Sequence, residues 1–265
     1  MTATWNDFRR ARHRSRQAWA VLAAGLVLLL AALGWFFGAG QFALGEPQAA
    51  GPSEAPVLAP GWMKAVAPVR PVPGGSAGAL LERLPVKGRA AGNNYERSAF
   101  GQAWLDVDRN GCDTRNDILR RDLAGASFTE GSRCRIGAGS FQEPYTGRTI
   151  EFRRGAESSK AVQIDHVVAL GDAWQKGAQQ LTAVQRQHLA NDPLNLVAAD
   201  GQANQDKGAS DAASWLPPNK AFRCHYVARQ VSVKAAYGLW VTPAEKDAMK
   251  RVLAACPGQQ TVVPR

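Results

Sequence analysis

The sequence predicts an α+β domain, mostly helical around a small strand–strand–helix core and preceded by one transmembrane helix. Three observations point there. Residues 18–37 carry no charge, which matches the roughly 20 apolar residues a spanning helix requires. Two strand-like runs, 162–168 and 194–198, are followed by a helical run from Gly201. Capping signals and apolar stripes at helical spacing mark helices on both sides of that unit.

Taken in order, residues 1–17 form a basic segment in which Arg9, Arg10, Arg12, Arg14 and Arg16 face only Asp7. Positive charge before an apolar run predicts a cytoplasmic N-terminus, a span over 18–38 and the remainder outside. Trp19, Trp35, Phe36 and Phe37 lie near the ends of the run, where aromatic belts form. A cleaved signal peptide is the competing reading, since Phe42-Ala43-Leu44-Gly45 offers small residues for a cut. Residues 39–88 predict a semi-rigid tether. Pro47, Pro52, Pro56, Pro60, Pro68, Pro71, Pro73 and Pro85 are scattered there among Gly and Ala. Within it, 79–84 has the apolar content to dock as a helical turn. The globular domain is expected over 89–257, with 258–265 as a tail.

Inside the domain, 114–123 reads as a helix with Ile118, Leu119 and Leu123 on one side. Residues 149–152 and 162–168 read as strands, and 170–178 as a helix. Thr182 with Gln185 forms a capping box that opens a helix ending before Pro193. A short strand over 194–198 and a helix carrying Asn204 follow. Pro217-Pro218 breaks the chain before a helix that reaches about residue 236. Thr242 with Glu245 is a second capping box with Pro243 at the first helical position. Ala248, Met249, Val252, Leu253 and Cys256 then form one apolar stripe.

The formal net charge of +10 suits a polyanionic partner such as nucleic acid. Cys112, Cys134, Cys224 and Cys256 all lie beyond the apolar run, and an even number in an oxidising compartment predicts two disulfides. Three pairings are possible and sequence does not choose among them; the sequence-adjacent pairing is the working expectation. The absence of any C-x-x-C argues against a structural zinc site. The absence of H-E-x-x-H leaves a cell-wall peptidase without its signature.

The chemistry concentrates in three places: Asp165-His166, Asn195 within Asp192-Pro193-Leu194-Asn195-Leu196, and Asn204 before Lys207. Hydrolysing a phosphodiester requires an activated water and neutralised phosphate charge. His166 suits the first task, as its free pKa lies near neutrality. One ring nitrogen takes the proton while the other needs a backbone carbonyl or amide oxygen to fix the tautomer. Asp165 and Asn204 are hard oxygen ligands that leave room for waters and phosphate around one divalent ion, Mg2+ or Mn2+, with Zn2+ or Ca2+ as the other candidates. Asn195 is expected to tie the intervening loop through backbone hydrogen bonds. Lys207, one turn past Asn204, is expected to meet a phosphate.

These residues resemble the HNH, or ββα-metal, endonuclease superfamily. In that superfamily the first histidine is the general base, the preceding acid binds metal, the middle asparagine orders the loop, and the last position, here Asn204, binds metal. The chain is further similar to the actinobacterial, membrane-anchored or secreted group of the DUF1524 family, related to the C-terminal domain of GmrSD-type restriction enzymes. Tyr95-Glu96-Arg97 with Phe100-Gly101, Asn110 to Arg115, Pro144 to Gly147 and Ser214 to Pro217 carry that likeness across about 89–257. The resemblance implies a metal-dependent endonuclease acting on DNA, with RNA as the other candidate. It also lends Arg115 a role in holding phosphate. A silent nucleic-acid- or metal-binding module at the cell surface is the main alternative, and a cell-wall hydrolase a lesser one.

Other candidates have plainer readings. His188 reads as a helix-surface residue and His225 as structural. Asp106, Asp108, Asn110 and Asp117 match the start and end of a calcium loop, but the last should be Glu, and Arg109 and Arg115 add positive charge. Among Trp104, Trp174, Trp215 and Trp240, position in sequence favours Trp174 and Trp215 as base-stacking residues.

Overall fold

The computed structural model describes residues 70–155 and 158–263. The predicted span over 18–38, the basic segment 1–17 and the first part of the tether lie outside the described residues. Among the described residues no helix is long and apolar enough to cross a membrane.

Seven helices and five strands make up the described α+β fold. They run α1 (Ala77–Arg83), α2 (Thr114–Asp122), β1 (Ala124–Phe128), β2 (Ile136–Gln142), β3 (Thr149–Arg153), β4 (Val162–His166), α3 (Leu170–Gln175), α4 (Ala183–Asn191), β5 (Leu196–Asp200), α5 (Gly201–Lys207), α6 (Arg223–Tyr237) and α7 (Pro243–Ala254). β1, β2 and β3 form one antiparallel sheet and β4 with β5 another. Both expected capping boxes form, at Thr182 with Gln185 and at Thr242 with Glu245. Asp113 caps α2 through the Asn116 amide.

The β4–β5 pair is covered on both faces, with only Gln163 and Asp200 partly exposed. One face carries Val162, Ile164, Leu196 and Ala198, which pack on Ile118 and Leu119 of α2 and on Ile136, Phe141 and Phe152 of the larger sheet. The other carries Val197 and Ala199, which join Tyr145 and, from α6, Tyr226, Val227 and Val231. Register pairs Asp165 with Val197 and His166 with Leu196, so the two polar residues sit at the end of the ladder.

Two strands, β1 and β2, were not expected. Their sequences, Ala-Gly-Ala-Ser-Phe and Ile-Gly-Ala-Gly-Ser-Phe-Gln, lack the bulky alternation that signals a strand. Small residues are needed where the sheet meets α2: a Cβ at Gly139 would stand 3.0 Å from Leu123 Cδ2 and 3.2 Å from the Ala124 carbonyl.

The expected domain limits at 89 and 257 cut through packed structure. Leu80, Leu81 and Leu84 are buried against α6 and α7 rather than lying in a tether. Beyond residue 257, the Thr261 amide donates to Gly75 O (2.8 Å) and the Val262 amide to Ser232 Oγ (2.9 Å). The apolar content of 79–84 outweighs the flanking prolines, and the C-terminal residues close over the same helices. Cys112 is bonded to Cys134 and Cys224 to Cys256, the sequence-adjacent pairing.

A buried ionic cluster joins the helices. Lys176 Nζ lies 2.7 Å from Asp172, 2.7 Å from Asp211 and 2.6 Å from Glu245. Lys234 contacts Asp172 and Glu245, and Arg89 reaches Asp211 at 2.6 Å. Burial alone would raise the Asp211 pKa, but the Lys176 hydrogen bond and charge and the Arg89 charge outweigh it and hold the carboxyl below its ordinary 3.8. Charges this deep are costly unless all are matched.

Removing Lys176 should therefore leave buried carboxylates uncompensated. Lys176→Met is expected to lower the unfolding free energy by about 3–5 kcal/mol in urea titrations. Asp211, with its depressed folded pKa, contributes stability present above its unfolded value and lost as pH falls through the folded one. Acid unfolding followed by tryptophan fluorescence should show this loss below about pH 4 in wild type, and Asp211→Asn should weaken that dependence.

Candidate active site

The loop between α4 and β5 is held from three sides. Asn195 is fully buried. Its Oδ1 accepts from the Val168 amide (2.8 Å), and its Nδ2 donates to Val168 O and Leu189 O (both 3.2 Å). Its carbonyl accepts from the Val167 amide at 2.7 Å. Arg229 of α6 donates to Pro193 O, Leu194 O and Leu196 O, each at 2.7 Å. Burial, and then the nearby Arg121 charge, push the Arg229 pKa down to about 10. Arg121 of α2 itself donates to Pro193 O and Leu196 O at 2.8 Å. One asparagine and two arginines thus fix the segment after β4 against the end of α4.

That frame orients His166. Its Nε2 lies 2.8 Å from Ala190 O. A carbonyl can only accept, so Nε2 carries the proton and Nδ1 is the basic nitrogen. Burial, opposed by the Ala190 hydrogen bond and by Asp165, lowers its pKa to about 4. The ring is therefore neutral near pH 7.

Asp165 lies buried beside it. Its Oδ2 accepts from Tyr145 Oη at 2.5 Å and its Oδ1 from Lys207 Nζ at 3.0 Å. Burial, and then the Asp165 charge, raise the Tyr145 pKa well above 10, so Tyr145 serves as a donor. Asn204 donates through Nδ2 to Gln163 Oε1 at 2.8 Å, which places any ligand role on its Oδ1. α5 carries Asn204 to this point because Gly201 lets the chain turn tightly: a Cβ there would stand 2.2 Å from Lys160 O.

Asp165, His166 and Asn204 line one open cleft of about 320 Å³ together with Tyr95 and Arg97. A second cleft of about 230 Å³ adjoins it, sharing Arg97, His166 and Leu170 and adding Phe100, Ala103 and Trp104. Arg97 is exposed and its charge lies near the His166 ring. Among the described residues no group of three or more His, Cys, Asp or Glu is arranged around a metal position. A carboxylate accepts about four hydrogen bonds, so Tyr145 and Lys207 leave Asp165 lone pairs for a cation. With the Asn204 amide oxygen this is a hard, two-oxygen donor set, which fits an ion that keeps several waters.

Residues 113–252 match the family described as GmrSD restriction endonucleases, C-terminal domain. The chain belongs to that family. An "Uncharacterized secreted protein" of Arthroderma benhamiae (strain ATCC MYA-4681 / CBS 112371) is 37% identical over 183 residues, 68% of this chain and 85% of that protein. No solved structure matches the chain. The GmrSD-type span opens at the cap of α2, ends within α7 and contains Asp165, His166, Asn195 and Asn204. Arg97 and Trp104 precede it.

Asp165, His166 and Asn204 thus come together, with Asn195 behind them. Two expected phosphate contacts do not reach the cleft. Lys207 is wholly buried, bonded to Asp165 and, at 2.8 Å, to His166 O; α5 turns it inward, where its charge balances Asp165. Arg115 is partly buried, donates to Val162 O at 3.3 Å and lies 6.0 Å over the Trp104 ring. The cation at the cleft is Arg97, in Tyr95-Glu96-Arg97. His188 and His225 line neither cleft, and burial lowers the His225 pKa.

The calcium-like loop is closed on itself. Asp106 and Asp108 accept from the Asn110 amide, Asp106 also from the Gly111 amide, and Asp117 from Asn110 Nδ2. Of the tryptophans, Trp174 packs with Tyr95 and Phe100, Trp215 with Tyr145 and Tyr226, and Trp240 donates to Gly88 O. Of these four, Trp104 is the one that lines the second cleft.

Gly201→Ala should strain the β5–α5 turn. Thermal or urea unfolding is expected to show a loss of about 1–3 kcal/mol.

Proposed function

We propose that this chain is a metal-dependent endonuclease of HNH, ββα-metal type that hydrolyses phosphodiester bonds of DNA, with RNA as the alternative substrate. The observation that carries the reading is the neutral His166, its tautomer set by Ala190 O and its basic Nδ1 available, beside Asp165 and Asn204 on a strand–strand–helix unit. Membership of the GmrSD C-terminal family supports it.

His166 Nδ1 takes a proton from water as the water oxygen attacks phosphorus. The bond to the leaving ester oxygen breaks, and that oxygen takes up a proton from solvent. Asp165 and Asn204 would hold Mg2+ or Mn2+, which supplies charge neutralisation at the phosphate when bound. Asn195 acts through the backbone, keeping His166 in place. Arg97, exposed at the mouth of the cleft, pairs with the substrate phosphate, the task expected of Lys207 and Arg115. Lys207 holds Asp165 in place through its Oδ1.

We place the domain outside the cytoplasmic membrane. Two disulfides and a relative whose name describes it as secreted support that location. The uncharged run 18–37 would anchor the chain as a single-pass protein, or be lost by cleavage to release it.

Purified full-length protein is expected to nick supercoiled plasmid with Mg2+ or Mn2+, and His166→Ala to lower the rate by about 10²–10⁴. Wild type that nicks no faster than His166→Ala would sink the reading. Protein extracted from cells without reductant should show no reactive thiol until its disulfides are reduced; thiols titrating at once would contradict an oxidising location.

A further inference from the structure

The two clefts differ in chemistry. The first is lined by charged and polar groups, Arg97, Asp165, His166 and Asn204. The second is walled by Phe100, Ala103, Trp104, Leu170 and Ala190 and opens onto the first at Arg97 and His166. A ligand filling both would have an anionic part and a flat apolar part on neighbouring atoms. A nucleotide has that form: its phosphate suits the polar cleft, and its base suits the apolar one.

Trp104 is the residue built for the second part. It is a non-glycine residue in the left-handed region, with φ 59°, a conformation that bulky residues adopt only when surrounding structure imposes it. Arg115 lies over its ring at 6.0 Å, and its indole also packs partly on the α2 core. The ring is therefore packed against Arg115 and the α2 core, and Trp104 also lines the cleft. About 230 Å³ is room for one base rather than a stacked pair.

We propose that this apolar cleft is a nucleobase subsite that receives the base next to the scissile phosphate, stacked on Trp104. The inference rests on the nuclease reading for the phosphate's position and narrows the substrate to strands that can offer an unstacked base: single-stranded or frayed nucleic acid. An aromatic platform accepts any base, so it predicts little sequence preference.

The test uses full-length protein and a fluorescein-labelled single-stranded DNA 12-mer, with or without central abasic sites. Binding is read by anisotropy in EDTA, so that no strand is cut. Wild type is expected to bind the base-bearing strand about tenfold more tightly than the abasic one. Ala103 is exposed on the cleft wall, so Ala103→Leu should fill the subsite, keep the wild-type melting temperature and bind both strands alike. Equal affinity of wild type for the two strands, no binding of either, or a preference retained in Ala103→Leu would overturn the subsite. The wild-type ratio decides the matter even where the variant is unstable. A parallel cleavage arm with Mg2+ separates the two ideas: a base preference without cleavage keeps the subsite and removes the nuclease reading.

Discussion

Lys176 has no contact with solvent and touches three carboxylates from three separate stretches of chain, and the packing around the site depends on that convergence. Asp172 lies in α3, one turn before Lys176, Asp211 follows α5, and Glu245 sits in the capping box of α7. The two segments flanking the polar cleft, α3 after His166 and the loop after Lys207, are therefore tied to α6 and α7 through one ammonium and its neighbours Lys234 and Arg89. Charge buried this deeply contributes little net stability compared with apolar packing, but it is intolerant of mismatch. It acts as a register device: shift any of these elements and a buried charge loses its partner.

The cleft uses the same physics differently. Lys207 is as buried as Lys176 but pairs with a carboxylate that lines an open cleft. Tyr145 and Lys207 keep Asp165 oriented, while Ala190 O keeps the His166 proton on Nε2. Low local polarity holds the imidazole neutral. The backbone frame of Asn195, Arg229 and Arg121 makes this arrangement a property of the fold rather than of mobile side chains. The carbonyls of Pro193, Leu194 and Asn195 and the Asn195 side-chain amide all find partners there, and burying them unsatisfied would have been costly.

How much of this was legible in the residues varies with the kind of signal. Helices α2, α4, α6 and α7 announce themselves because capping and apolar periodicity are local. β5 is legible because its buried faces demand an apolar run, and β4 through the alternating Val162 and Ile164. β1 and β2 are not, because strands built from Gly, Ala and Ser pack by closeness rather than by bulk. The docking of α1 was legible in the apolar content of 79–84, whereas that of the C-terminal residues depends on surfaces contributed by α6, which no local pattern describes. Among site residues, Asp165, His166, Asn195 and Asn204 stand out by spacing. The direction in which Lys207 and Arg115 point, and the approach of Arg97 and Trp104 from far upstream, carry no sequence signal.

The amino-acid sequence by itself determined the strand–strand–helix order, the helix limits set by caps and prolines, and the membership of Asp165, His166 and Asn204 in one polar constellation. The first two follow from interactions between residues close in the chain, and the third from residue types and spacing that match a known pattern. Only the tertiary structure decided which cation stands at the cleft, which tryptophan lines it, and which lysine is spent on holding a buried carboxylate. Those outcomes turn on side chains meeting across long stretches of sequence, where burial and charge balance choose among candidates that look alike in one dimension.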